Sequence, residues 1–378
     1  MNRCGARKLL KRIFAMGPPE WRVRHPRFSK TRKTNVKVIN QNLLLDAESV
    51  YLIGIGGAGM SSLARILKNR GLDVAGSDVR KTRVISGLER EGIRVQIGQD
   101  KVGFKEKDII IYSSAIGKKN REWTEAEKLG LPMYHRAQVL ASLSNQASTS
   151  IAVTGTHGKT STTAMIAYLL SETGMAPTCM VGSDMMNYES NAVTGPSGYW
   201  VCEVDESDSS HEYYAPHYAV ITNLEPEHLD HYGNFSDLEH SFRRFLAHIH
   251  NPGLVIYPGD DVFLKGLVCS SAKPCVSFGF SEDCDYRADR IRFTATGSEF
   301  DLIEGGFYAG RFKLRMHGRH NIANALAAIA ILTQLGVDLE GIQRHLVSFH
   351  GTRRRMEVKW REGDKIIMDD YAHHPTEV

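Results

Sequence analysis

No apolar run in the 378 residues approaches the roughly 20 that a membrane-spanning helix needs. That excludes a membrane helix, and the sequence reads as soluble and cytoplasmic, with no membrane insertion. Cysteine is sparse and scattered: Cys4, Cys179, Cys202, Cys269, Cys275 and Cys284 include no Cys-x-x-Cys pair. Such spacing argues against a zinc ribbon or disulfide framework and for reduced thiols. A basic face is also missing from most of the chain. The net charge of +4 arises in residues 1–37, where 12 Lys/Arg stand against one acid, Glu20, a balance of +11. The remainder holds 35 basic and 42 acidic residues, a balance of −7, so no nucleic-acid partner is expected. The Arg-rich start, with Pro18, Pro19 and Pro26 and no sustained periodicity, reads as a disordered extension or as sequence upstream of the true start. With 42% hydrophobic residues, the chain has room for two or three cored domains.

What is present is organised around Ile151–Thr162. The apolar run Ile151-Ala152-Val153 predicts a short buried strand, which breaks into Gly155-Thr156-His157-Gly158-Lys159-Thr160-Ser161 and then an amphipathic helix over Thr162–Leu170. A strand, a glycine turn and a helix N-terminus aim free N–H groups and the positive end of the helix dipole at one spot, where a polyphosphate can sit. Gly155 and Gly158 allow close backbone approach, Lys159 adds a point charge, and Thr160 or Ser161 offers a hydroxyl to Mg²⁺. The Gly-x-x-Gly-Lys-Thr spacing is two residues tighter than the usual phosphate loop.

A second glycine turn lies upstream. The strand Ser49–Ile53 runs into Gly54-Ile55-Gly56-Gly57-Ala58-Gly59-Met60, a helical pattern over Ser61–Asn69 and a strand over Asp73–Asp78. Asp78 falls 19 residues after Gly59, placed to accept from a ribose hydroxyl. These are the parts of a Rossmann-type nucleotide-diphosphate site, and they do not say which nucleotide. Strands over Ile93–Ile97 and Asp108–Tyr112 continue the sheet, and Ser113 and Ser114 sit at a strand C-terminal end, where ligands of such sheets bind.

Further strands also end in chemistry. Tyr199–Cys202 leads to Glu203, Asp205, Glu206 and Asp208. An acid there, beside a phosphate loop, is where a Mg²⁺ ligand is needed, and Glu203 is the first candidate. A strand over Tyr218–Asn223 leads to His228 and Asp230, which can converge with Glu203 on a second metal. Asn321 and Asn324 fall on one face of the first turn of an Ala-rich helix, a way to read an adenine edge; an N-cap and helix packing would also account for Asn321. Finally Ile366-Ile367-Met368 runs into Asp369-Asp370-Tyr371-Ala372-His373-His374, an incoming strand with no helix or partner strand after it.

Taken in order, Gly54–Met60, Ser113–Ile116, Gly155–Thr162, Glu203–Asp208, Asn223–Asp230, Gly318–Asn324 and Asp369–Val378 resemble the Mur ligases, the ATP-dependent amide-forming enzymes of peptidoglycan synthesis. The likeness runs from about Val50 to Val378 and is strongest to the type that adds L-alanine to UDP-N-acetylmuramate. The resemblance implies an α/β fold with domains over 48–148 (Rossmann-like, UDP-sugar-binding), 149–350 (P-loop, ATP-binding) and 351–378 (the start of a third, Rossmann-like, amino-acid-binding domain). It implies UDP diphosphate at Gly54, Gly56, Gly57, Ala58, Gly59 and Met60, with Asp78, Ser113 and Ser114 nearby. It implies ATP at Gly155, Thr156, His157, Gly158, Lys159, Thr160 and Ser161, with Asn321 and Asn324 at the adenine and Asp370, Tyr371 and His373 closing over it. Thr160, Glu203 and His228 would hold Mg²⁺, and Lys159, Glu203 and His228 would serve the chemistry.

Several relatives carry a carbamoylated lysine about 15 residues after the metal histidine; Leu238–Arg244 holds none, as in the alanine-adding type. The basic extension is outside the family pattern, and the third domain is almost wholly absent. A chain ending at Val378 is expected not to complete the ligase reaction. Three rival readings stand beside this one: an NAD-dependent Rossmann oxidoreductase, a non-catalytic UDP-sugar-binding fragment, and a ligase for another amino acid or for murein tripeptide.

Overall fold

The computed structural model describes Leu44 and residues 47–98, 102–105, 108–363, 365–374 and 377–378. The basic extension over 1–37, and Pro375 and Thr376, lie outside the described residues.

The first sheet is built by β/α alternation: β1 (Ser49–Ile53), α1 (Ala58–Asn69), β2 (Asp73–Asp78), α2 (Arg83–Arg90), β3 (Arg94–Ile97), β4 (Ile109–Tyr112), α3 (Arg121–Lys128), β5 (Met133–His135) and α4 (Arg136–Asn145). Its strand order is β3-β2-β1-β4-β5, parallel throughout. The order reverses at β1, so the crevice outside the β1 and β4 ends faces the first glycine turn. The central strand β1 is buried over Val50–Ile53, as a strand covered by helices on both faces must be.

The second sheet follows with β6 (Thr149–Thr154), α5 (Lys159–Glu172), β7 (Thr178–Met185), β8 (Ser190–Val193), β9 (Tyr199–Glu203), β10 (Tyr218–Ile221), α6 (Leu229–Tyr232), α7 (Phe235–His248), β11 (Leu254–Pro258), α8 (Val262–Ser270), β12 (Cys275–Gly279), β13 (Tyr286–Thr294), β14 (Gly297–Glu304) and β15 (Phe307–Leu314). The order is β15-β14-β13-β12-β11-β10-β6-β9-β7-β8. β6 lies between β10 and β9, parallel to both, so their three C-terminal ends open on one side. That arrangement brings the phosphate loop, the acidic run and the His228 loop together.

α9 (Arg319–Gln334) and α10 (Leu339–Leu346) pack over this sheet. α5 differs from the expected amphipathic helix. It starts three residues earlier, at Lys159, and is buried continuously from Thr160 to Leu170. Sheet on one side and α9 on the other leave it no solvent face, which is why Ala164–Leu170 is apolar all round.

The last strand also differs from expectation. β17 (Lys365–Asp369) does have a partner, but an earlier one: it pairs antiparallel with β16 (Glu357–Glu362). The hairpin is mostly exposed, and Trp360, Ile366, Ile367 and Met368 all face solvent. It is tied back by Tyr371 N–H donating to Arg354 O at 2.8 Å, and by Arg353 N–H donating to Asp184 O of β7 at 2.9 Å.

Candidate functional site

The first glycine turn is held by its neighbours. Gly54 has φ +77°, and the N–H groups of Gly54 and Ile55 both donate to Ser77 O at 2.9 Å. Gly56 N–H donates to Asp78 Oδ2 at 2.9 Å, and a Cβ on Gly56 would lie 2.8 Å from that oxygen. Asp78 therefore anchors the turn itself; its Oδ1 faces Arg80 N–H at 3.4 Å. What the turn leaves open is the start of α1, where the N–H groups of Ala58, Gly59 and Met60 have no intrahelical acceptor. The Arg136 guanidinium packs against Gly59 so closely that any Cβ there would collide with it. An anion at this helix start would meet free N–H groups, the helix dipole and a guanidinium.

Ser114 bridges the two sheets. Its Oγ lies 3.0 Å from His135 Nε2 and donates to Asp208 Oδ2 at 3.2 Å. His135 caps α4 through Nδ1, which accepts from Ala137 N–H at 3.3 Å. Burial holds this imidazole below its ordinary pKa, with the Asp208 charge acting the other way. Among the described residues the Ser113 side chain makes no hydrogen bond that would support a role for it. His135, Arg136 and Asp208 were not assigned from sequence. Their one signal was position at strand C-terminal ends, which many unremarkable residues share.

The phosphate loop is tied to β10. His157 N–H donates to Asn223 Oδ1 at 2.7 Å, Asn223 Nδ2 donates to His157 O at 2.9 Å, and Glu225 N–H donates to Thr156 Oγ1 at 2.9 Å. Gly155 (φ +126°) and Gly158 (φ +78°) occupy backbone regions that side chains rarely adopt. A Cβ on Gly158 would also come within 2.7 Å of Asn324 Oδ1.

Lys159 Nζ folds over its own loop, donating to Gly155 O at 2.6 Å, Thr156 O at 3.1 Å and Glu206 Oε1 at 2.9 Å. Burial alone would lower the Lys159 pKa; the charges of Glu206, Glu203 and Asp205 more than offset it, so it stays a cation. Glu206 is 1% exposed, and burial raises its pKa to about 7 against the pull of Lys159. Its Oε2 is buried without a hydrogen-bond partner. Glu206 was quoted in the acidic run but given no role, because alternation along a loop does not say which acid turns inward.

Thr160 Oγ1 lies 2.9 Å and 3.1 Å from the two carboxylate oxygens of Glu203, which also accepts from Gly182 N–H at 2.9 Å. His228 Nε2 stands 3.8 Å from both Glu206 Oε1 and Glu227 Oε2. Its backbone has φ +57°, unusual for a side-chain-bearing residue and worth about 1 kcal/mol of strain or more. Lys159, Thr160, Glu203 and His228 line one cavity of about 200 Å³ with Tyr371 and His373. Asp230, expected beside them, is exposed on α6 and lines neither this cavity nor the next. Nor does any residue of Leu238–Arg244, which lies on α7.

A larger cavity of about 450 Å³ adjoins it, with Ser161, Asn321, Asn324, His320 and Asp370 in its lining. Thr162 Oγ1 donates to Asn324 Oδ1 at 3.2 Å, and Asn321 Nδ2 donates to His317 O at 2.8 Å, so the two amides are held rather than loose. Asp370 accepts from Met356 N–H at 2.7 Å and Ala372 N–H at 2.6 Å, which makes it the cap of the β16–β17 hairpin. The Tyr371 ring lies under the Arg354 guanidinium at 4.6 Å. His157 and Glu377 line both cavities.

Two family models match the chain. Residues 49–148 match the family described as "Mur ligase family, catalytic domain", and residues 153–332 match "Mur ligase middle domain". The UDP-N-acetylmuramate–L-alanine ligase of Carboxydothermus hydrogenoformans is 37% identical over 331 residues, 87% of this chain and 71% of that protein. The one from Thermosynechococcus vestitus is 40% identical over 333 residues, 87% of this chain and 69% of that protein. Among solved structures, the UDP-N-acetylmuramate–alanine ligase of Thermotoga maritima aligns with a TM-score of 0.77 at 29% identity, covering 87% of this chain and 75% of that one. A murein peptide ligase of Psychrobacter arcticus aligns with a TM-score of 0.74 at 26% identity, covering 88% and 74%.

Proposed function

This chain belongs to the Mur ligase family, and from that premise we propose that it joins L-alanine to the lactyl carboxylate of UDP-N-acetylmuramate in an ATP-driven step of peptidoglycan precursor synthesis. In this reading residues 48–148 hold the UDP-sugar, 149–350 hold ATP, and 351–378 open a third, amino-acid-binding domain. The chain spans about 71% of the Carboxydothermus relative.

A carboxylate is a poor electrophile and its oxygen a poor leaving group, so the acid must be activated first. The lactyl carboxylate attacks the γ-phosphate of ATP, giving an acyl phosphate and ADP. The L-alanine amine then attacks the acyl carbon, and phosphate leaves with the C–O electron pair as the amine loses a proton. Lys159, a buried cation at the mouth of the loop, offsets the charge that crowds the transferring phosphoryl group. Asn321 and Asn324 present amide edges to the adenine, and Asp370, Tyr371 and His373 bound the cavities from the hairpin side. At the other site, the free N–H groups of Ala58, Gly59 and Met60 receive the UDP diphosphate.

Thr160, Glu203 and His228 would hold Mg²⁺. The residues fit such an ion: a hydroxyl and a carboxylate 2.9 Å apart line one cavity with an imidazole, and the buried Glu206 Oε2 beside them has no partner. A bound Mg²⁺ supplies positive charge against the phosphate oxygens.

The observation that carries this reading is the meeting of Lys159, Thr160, Glu203 and His228 in one cavity. The test is ADP release from ATP and Mg²⁺ with UDP-N-acetylmuramate, with and without L-alanine. It is run on this chain and on one extended with the remaining length of a relative. Turnover that needs L-alanine is expected in the extended chain. No turnover in either, with UDP-sugar binding intact, leaves a binding module instead.

A further inference from the structure

His157, Glu225 and His374 come together from three remote parts of the sequence: the phosphate loop, the loop after β10 and the segment beyond β17. One ligand atom from each lies within 4.8 Å of the other two, and all three residues are half-buried. The His157 and His374 rings stand 4.8 Å apart, centroid to centroid. Of the three, only His157 and Glu225 line the larger cavity, and neither Glu225 nor His374 lines the smaller one that holds Glu203 and His228.

The hydrogen bonding of His157 is informative. Its Nδ1 lies 3.2 Å from Glu377 Oε1, which assigns the Nδ1 proton to that carboxylate. In the neutral ring, Nε2 is then the nitrogen with the lone pair. It is buried, has no hydrogen-bond partner, and faces Glu225 Oε2 at 3.5 Å. A lone pair and a carboxylate oxygen facing each other repel unless a cation stands between them. Imidazole bound to a metal through one nitrogen while the other donates to a carboxylate is the arrangement that fixes tautomer and ring orientation in metal sites.

We propose that His157, Glu225 and His374 form a zinc site that clips the segment beyond β17 onto the phosphate loop, with Glu377 orienting His157 from behind. Two imidazoles and a carboxylate are a zinc donor set that leaves one position open. Nitrogen donors favour zinc over the hard-oxygen preference of Mg²⁺. With bonds of about 2.0–2.1 Å, tetrahedral ligand atoms sit roughly 3.4 Å apart, so the three side chains close by about an ångström on the ion. The clip places zinc where residues of the proposed ATP cavity converge, so zinc binding and ATP binding compete.

The test titrates zinc chloride into this chain against a chromophoric zinc chelator, with saturating Mg²⁺ present to occupy the oxygen-rich cavity. One zinc per chain is expected, and affinity is expected to fall at least tenfold in His374→Ala and in Glu225→Gln, since even outer-shell changes cost about 10–100-fold. Glu203→Gln is expected to bind zinc like the parent. Circular dichroism of each variant separates lost ligation from lost folding. Zinc uptake that is equal in both ligand variants, or that disappears in Glu203→Gln, overturns the site, as does no uptake at all. In that last case a second proton on His157 bridges Glu225 and Glu377 instead. No ATP or UDP-sugar enters the titration, so its failure is separate from any failure of the ligase reading.

Discussion

At the scale of single residues, the site is a balance of buried charges. Lys159 holds Gly155 O, Thr156 O and Glu206 Oε1 at once, so it both closes the loop and neutralises an acid that burial would otherwise protonate. On the proposed ligase reading, replacing Lys159 with Ala removes the cation that would offset the transferring charge. In the extended chain kcat/KM for ATP is expected to fall by roughly 100-fold or more, read from ADP release. A second residue couples the fold to pH. His211 is fully buried beside Phe242 and Phe245, its Nδ1 has no hydrogen-bond partner, and burial pushes its pKa down to about 4. The folded value is below the ordinary 6.5, so between pH 4 and 6.5 the unfolded chain binds more protons. Stability therefore rises with pH across that window and is lost as pH falls through it, by up to about 3 kcal/mol. Urea unfolding at pH 7 and pH 5 should show about 2 kcal/mol of that loss in the parent and a smaller one in His211→Phe.

At the scale of elements, much was legible in the sequence because glycine turns and strand ends are local. The Gly54–Gly59 turn, the Gly155–Lys159 turn, and the strands β1, β2, β6, β9 and β10 follow from short-range pattern, and the comparisons bear out the family to which those motifs pointed. What was not legible depends on packing. Nothing local says that α5 is enclosed by β6, β9 and α9, so an amphipathic stripe was expected where every face is buried over Thr160–Leu170. Nor does sequence say that β17 turns back on β16, since register between exposed strands is weakly specified. Glu206 turning inward while Asp230 turns outward is likewise decided by the chain path and not by composition. The enclosure of α5 has a measurable consequence. Leu169 is wholly buried in its last turn, so Leu169→Ala leaves a cavity that neighbours on both sides cannot fill. A loss of about 2–5 kcal/mol in urea unfolding is expected, against under about 0.5 kcal/mol for a surface substitution.

At the scale of the whole molecule, the question is whether the two sheets behave as separate bodies. Polar links among the described residues join them: Asn191 Nδ2 donates to Ala58 O at 2.9 Å, Asn69 Nδ2 to Thr194 Oγ1 at 3.0 Å and Ser114 Oγ to Asp208 at 3.2 Å, while Asn145 of α4 donates to Tyr213 O at 3.2 Å and accepts from Ala215 N–H at 2.8 Å. The apolar contact between them is continuous. One buried cluster runs from Val50, Leu52 and Ile111 of the first sheet through Val139, Leu140 and Leu143 of α4 to Ala152, Trp200 and Ala219 of the second. Exposing that cluster from one side exposes it from the other, so partial unfolding of either sheet strands apolar surface of its neighbour. The exposed β16–β17 hairpin contributes no residue to it. With the other two tryptophans, Trp21 and Trp360, replaced by Phe, Trp123 on α3 reports the first sheet and Trp200 on β9 the second. Urea unfolding of Trp123→Phe and Trp200→Phe, followed by fluorescence and by circular dichroism, is expected to give coincident curves within each variant. Distinct midpoints for the two probes would mean that the shared cluster does not couple the sheets.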